Sequence, residues 1–181
     1  RLPFLLNLPH PHPNLVRIST REAVTRCINR LCTAKVRESL RHFVSRKAMD
    51  IAGLGREVVR QLVSEGLVIS LADLYHLQYE QLLTLEGFAE KKTENLLLAI
   101  EASKTRSVSR FLFALGIRHV GEGVARLLTD DFPTISEIRV LTEEKLNEVH
   151  GIGPEVASAV VTYFCDPTNV EQLDALLAAG V

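Results

Sequence analysis

The stretch Ile51-Ala52-Gly53-Leu54-Gly55 decides how the rest of the chain is read. Two apolar residues and two glycines share five positions. The pattern fits a tight hairpin between two helices, with Ile51 and Leu54 plugged between the flanking elements. The first glycine permits a positive φ inside the turn. The last glycine stands where the second helix begins, and its missing side chain leaves backbone N–H groups open. Those orphan donors, with the positive end of the helix dipole, make an anion site. A phosphate fits such a site, and the contact reads a polymer backbone instead of a base sequence.

The hairpin recurs. Leu85-Glu86-Gly87-Phe88-Ala89, Ile117-Arg118-His119-Val120-Gly121 and Val149-His150-Gly151-Ile152-Gly153 repeat its pattern, with last positions 34, 32 and 32 residues apart. Helix-like runs follow at Glu57–Glu65, Lys91–Ser103, Val124–Thr129 and Glu155–Tyr163. One such turn is a weak signal, because Gly-x-Gly turns join many ordinary helices. Four at a near-constant period indicate one supersecondary unit used repeatedly. The fold class is therefore all-α: four tandem helix–hairpin–helix repeats over residues 37–181, preceded by a small irregular module over residues 1–36. In that module Val16–Ile18 and Ala23–Arg26 read as short strands around a Ser19-Thr20 turn. Prolines at 3, 9, 11 and 13 exclude regular helix before them.

Charge agrees with a polyanion partner. Residues 1–60 carry 12 Lys and Arg against 4 Asp and Glu, whereas residues 127–181 carry 2 against 10. A basic first third can meet phosphates, and an acidic last third would be kept away from them. Arg56 and Arg60 follow the first turn, and Lys91 and Lys92 the second. Arg118 and His119 lie in the third, with Arg126 one helical turn beyond. Arg46 and Lys47 end a basic run that starts at Arg37 and adjoins the first hairpin. The fourth turn is followed by no Lys or Arg before Asp166 and has Pro154 at a helix-start position. The expected DNA contacts are thus Arg46, Lys47, Gly53, Gly55, Arg56, Gly87, Lys91, Lys92, Arg118, His119, Gly121, Gly151 and Gly153. In the second turn Ala89 replaces the last glycine. Its methyl crowds an approaching anion, and strains the backbone if φ there is positive. Phe111, Phe113 and Phe164 lie among leucines at helical spacing and read as core. His42, His76 and His150 read as packing or surface residues, and Cys165 as an idle thiol.

Longer strings carry a specific resemblance. Leu40-Arg41-His42-Phe43-Val44-Ser45-Arg46-Lys47-Ala48-Met49-Asp50-Ile51-Ala52-Gly53-Leu54-Gly55 resembles the opening of the helix-hairpin-helix domain of bacterial NAD-dependent DNA ligases. So do Arg110-Phe111-Leu112-Phe113-Ala114-Leu115-Gly116-Ile117-Arg118-His119-Val120-Gly121-Glu122, Ala72-Asp73-Leu74-Tyr75 and Leu177-Ala178-Ala179-Gly180-Val181. The resemblance runs from about Val24 to Val181. It implies a protein in which NAD and Mg²⁺ serve an adenylation site outside this stretch, so no residue here is catalytic. The stretch would hold duplex or nicked DNA while another domain seals it.

The resemblance also implies a zinc module with two cysteine pairs. Cys27 and Cys32 match the second pair. The first is missing, and Leu8-Pro9-His10-Pro11-His12-Pro13 stands in its place, so His10 and His12 are the substitute ligands to consider. Two thiolates alone do not close a tetrahedral zinc site, whereas Cys₂His₂ does. Three cysteines make no disulfide framework and suit a reducing, cytoplasmic setting. No stretch has the length of a membrane span, and a monomer is expected. Two rival functions use the same features. A DNA glycosylase would use Gly151 to Pro154 as its hairpin and Asp174, 20 residues on, as its acid, but leaves three hairpins unexplained. A non-catalytic DNA-junction or repair scaffold would use all four hairpins.

Overall fold

The computed structural model describes residues 15–17, 25–27 and 33–181. Two short strands, β1 (Leu15–Arg17) and β2 (Thr25–Cys27), pair antiparallel with Leu15 opposite Cys27. They lie where strands were expected, displaced by one or two residues at their ends. The side chains of residues 1–32 lie outside the described residues, among them Cys27, Cys32, His10 and His12.

From Thr33 onward the described chain is helical. The helices are α1 (Thr33–Phe43), α2 (Arg56–Ser64), α3 (Tyr79–Leu83), α4 (Glu90–Ser103) and α5 (Val108–Ala114). Then come α6 (Glu122–Asp131), α7 (Ile135–Ile138), α8 (Glu143–Asn147), α9 (Pro154–Cys165) and α10 (Pro167–Ala178). A short 3-10 helix, Ala72–His76, sits between α2 and α3. The helix α1 starts four residues before the expected boundary at 37. Each repeat is a packed pair: α1 with α2, α3 with α4, α5 with α6 and α8 with α9. The terminal α10 returns to the 3-10 helix of the first half, so the array closes on itself.

The core follows from the apolar spacing. Helix α2 buries Val58, Val59, Leu62 and Val63, positions i, i+1, i+4 and i+5 on one face. Leu40, Phe43, Leu74, Leu96, Leu112, Leu128, Leu146 and Leu173 join them in one continuous cluster that runs through all four repeats. The eight hairpin plugs belong to it: seven are buried, and Phe88 is half-buried against it. Phe111 and Phe164 are core as expected, with Phe113 half-buried beside them. Half-buried His42 bonds the carbonyl oxygen of Phe113 at 2.8 Å, and exposed His76 bonds that of Ala72 at 3.0 Å, one packing and one surface residue. Among the described residues no helix is long and apolar enough to cross a membrane.

Candidate nucleic-acid interface

The four turns share one backbone. In the second, third and fourth, the second plug donates its N–H to the carbonyl of the first: Phe88 to Leu85 at 3.2 Å, Val120 to Ile117 at 3.1 Å and Ile152 to Val149 at 3.0 Å. Such a four-residue turn with positive φ at its third residue normally takes glycine. Gly53, Gly87 and Gly151 supply it, with φ of 91°, 73° and 90°. In the third turn His119 itself adopts φ 64°. Histidine is among the few side chains that visit this region with some frequency.

The last position behaves differently from the expectation at Ala89. Gly55, Ala89, Gly121 and Gly153 are the N-caps of α2, α4, α6 and α9, all with extended φ between −68° and −120°. The expected strain is therefore absent, because any residue adopts this backbone. What remains is space. A Cβ on Gly55, Gly121 or Gly153 would meet nothing within 4 Å. The glycines are not needed by the protein's own packing, and the vacant space lies where a ligand would approach.

These helix starts carry no side-chain cap. Elsewhere α3, α7, α8 and α10 are capped by side chains, whereas α5, with Ser107 as its N-cap, is not. Thr134 accepts from the N–H of Glu137 at 3.2 Å, Thr142 from Lys145 at 3.3 Å and Asp166 from Thr168 at 3.0 Å. Helix α3 has a Gln78–Gln81 capping box. After the first three turns the carbonyl of the N-cap is reached only by the fourth helical residue: Val59, Thr93 and Ala125. That leaves the N–H groups of residues 56–58, 90–92 and 122–124 without a partner among the described residues. In α9, Pro154 has no N–H and Val156 already bonds the Gly153 carbonyl at 3.0 Å, so Glu155 alone remains.

The basic side chains divide into two groups. Arg46, Arg56, Lys91, His119 and Arg126 are exposed around the first three turns, and Arg118 is exposed but already engaged within the protein. Others are engaged by the protein. Lys47 pairs with Glu122 at 2.7 Å, and that hydrogen bond raises the Lys47 pKa. Arg60 pairs with Glu57, which lowers the Glu57 pKa. Lys92 folds back onto its own turn, donating to the Gly87 carbonyl at 3.0 Å with Nζ 4.1 Å from the Phe88 ring centre. Sequence reasoning missed Arg106 and Arg110, which hold the loop before the first hairpin. Their spacing of four at the start of α5 was the available signal.

Shallow grooves run beside the turns. One passes Ala52, Gly53, Ala89, Lys91 and Lys92, linking the first hairpin to the second. Another passes Arg46, Lys47, Arg110, Glu122 and Arg126, between the loop before the first hairpin and the start of α6. Neither contains a residue of the fourth turn. There the neighbouring cations are committed, Arg139 to Asp174 at 2.9 Å and Lys145 to Glu148 at 2.6 Å. The Arg139 pair also engages the carboxylate that a glycosylase reading requires. Among the described residues no group of three or more His, Cys, Asp or Glu is arranged to hold a metal ion.

The paired helices and their turns define a tandem helix-hairpin-helix protein. Residues 45–102 match the family described as SAM-like Helix-hairpin-helix tandem, and residues 110–173 the family described as Helix-hairpin-helix motif. The chain is also similar to proteins named DNA ligase. It is 51% identical over 160 residues to that of Syntrophotalea carbinolica, covering 88% of this chain and 24% of the relative. With that of Pelotomaculum thermopropionicum it shares 50% over the same span and shares of the two chains. With that of Geobacter sulfurreducens it shares 44% over 180 residues, 99% of this chain and 27% of the relative. The chain thus spans about a quarter of the length of these relatives, and what it has in common with them is a helix-hairpin-helix region.

Proposed function

We propose that this chain is the part of an NAD-dependent DNA ligase that grips duplex DNA around a nick, without sequence preference. The observation that carries the reading is the set of uncapped helix starts after the first three turns. Each offers up to three backbone N–H groups and has exposed cations nearby, and at Gly55 and Gly121 the protein leaves the adjoining space vacant. A phosphate oxygen accepts from such donors and is favoured by the helix dipole. Similarity to DNA ligases favours this reading over a free-standing scaffold.

In such a protein NAD and Mg²⁺ would serve nucleotide transfer at residues outside this chain. The role here is positioning, which raises the effective molarity of the DNA ends at the reacting centre. Cys27 and Cys32 with His10 and His12 have the donor chemistry of a zinc site, which would brace the strand module. Among the described residues the continuous core lies within the helical region, so that region should stay folded when a chelator is added.

The test is a titration of two unrelated duplexes at several salt concentrations. Equal affinities are expected, falling with salt by roughly 0.9 in log–log slope for each phosphate neutralised. Arg56→Ala should lower the slope by about one such increment. Strong preference for one duplex, or affinity indifferent to salt, would remove the proposal.

A further inference from the structure

The five-residue loop Arg46–Asp50 leads directly into the first hairpin, and its polar groups are satisfied from two sides. Three of its N–H groups are met locally: Ala48 and Asp50 donate to the Ser45 carbonyl at 3.0 and 2.9 Å, and Met49 to that of Phe43 at 3.0 Å. Its carbonyls are met from the third repeat. Arg106 Nε donates to Met49 O at 3.2 Å, and Nη2 donates to Asp50 O at 3.4 Å and to the Asp50 carboxylate at 3.1 Å. Arg110 Nε donates to Ala48 O at 2.7 Å, and its Nη2 to Arg46 O. The two arginines are one helical turn apart, the first just before α5 and the second within it. They reach residues 56 to 64 positions earlier in the chain. The Lys47–Glu122 pair ties the same loop to the residue after Gly121, the N-cap of the third repeat's second helix.

We propose that Arg106 and Arg110 are positioning residues that fix the first and third phosphate-contacting turns in one register, so that both engage a single duplex at once. This rests on the reading of the turns as DNA contacts. A guanidinium fork can hold two carbonyls with fixed geometry, whereas a lysine head is a single flexible point charge. The pair therefore acts on DNA through the loop and not by meeting phosphate. Joining two weak contacts rigidly makes the second intramolecular, a gain on the order of 10²–10⁴ in affinity that vanishes when the spacing is wrong.

The experiment measures the affinity of the 181-residue chain for a ladder of duplexes of increasing length. The wild type should gain affinity stepwise once a duplex spans both turns. Arg106→Lys with Arg110→Lys keeps the charge, yet should shrink that gain by roughly ten-fold while leaving the shortest duplex unaffected. Asp50→Asn is the second variant. It removes the carboxylate that Arg106 grips, and asparagine tolerates the positive φ of 53° at this position. Simple electrostatics makes this variant bind DNA more tightly at every length, whereas a register clamp makes it lose the length-dependent gain. Lysine variants that keep the full gain overturn the proposal, as does an Asp50→Asn chain that binds better throughout. A wild type that binds no duplex of any length overturns instead the reading on which the proposal rests.

Discussion

The first and fourth hairpins have nearly the same backbone and very different surroundings. Gly53 and Gly151 have φ of 91° and 90°, and their N-cap glycines are both extended. Around the first, Arg46 and Arg56 are exposed and three N–H groups are open. Around the fourth, the nearby cations are paired with carboxylates, proline removes one N–H and a local bond takes another. The turn is thus a folding device in both places and an anion device only in the first. Conserving the shape of a repeat does not conserve its chemistry.

The largest effects should come where the shape itself is broken. Alanine at Gly53 or Gly151 forces a Cβ into positive φ, and at Gly151 that Cβ would lie 3.1 Å from Leu127, against 3.5 Å from Leu96 at Gly53. Urea unfolding should show a loss of about 1–3 kcal/mol for each, larger at Gly151. Equal losses, or a larger one at Gly53, would show that Leu127 yields easily. The next effect separates the chemistry. Gly55→Val and Gly121→Val should weaken duplex binding roughly ten-fold at unchanged helicity, the scale for losing one well-made contact. Gly153→Val should change it little, and Ala89→Val less than the first two. A fourth-hairpin variant that binds as poorly as Gly55→Val would erase the distinction drawn above.

A smaller effect compares closed helix starts with open ones. Thr142→Ala removes the cap on α8 and should cost about 1 kcal/mol of stability without touching DNA affinity. If binding falls as well, the fourth repeat contributes more than its charges suggest. The smallest effect concerns Tyr163 on the same repeat. Its hydroxyl is buried without a hydrogen-bond partner among the described residues, and burial, helped by the Asp166 carboxylate, pushes its pKa up to about 12. The unfolded phenol ionises near pH 10. Stability from this group is therefore complete below that pH and is lost as pH rises towards 12. Tyr163→Phe should be neutral or slightly stabilising at pH 7 and should flatten the alkaline decline. An alkaline melting profile identical in both proteins would assign the decline to other groups.

Much of this is legible in the sequence alone. The plugs and glycines announced the turns, because a positive φ and an uncovered helix start are steric demands with few solutions. Their period announced the repeats. His119 hid one turn's glycine position, since a histidine held at positive φ resembles any other histidine in sequence. The clamp of Arg106 and Arg110 was hidden for another reason: it joins residues more than fifty positions apart, and only packing brings them together. Lys92 and Lys47 were legible as cations but not as cations already occupied. Pro154 was recognised as a helix-start residue, yet its cost to anion binding emerged only with the Val156–Gly153 hydrogen bond in view.

The uncapped helix starts also have a consequence for the free protein in water. Amide protons at residues 56–58, 90–92 and 122–124 are left to solvent although each set adjoins a plug residue of the core. In heavy water they should exchange early, ahead of neighbours one turn further along, as should the equally uncapped start of α5. At the start of α9 the proline and the Val156 bond should leave the corresponding window almost closed.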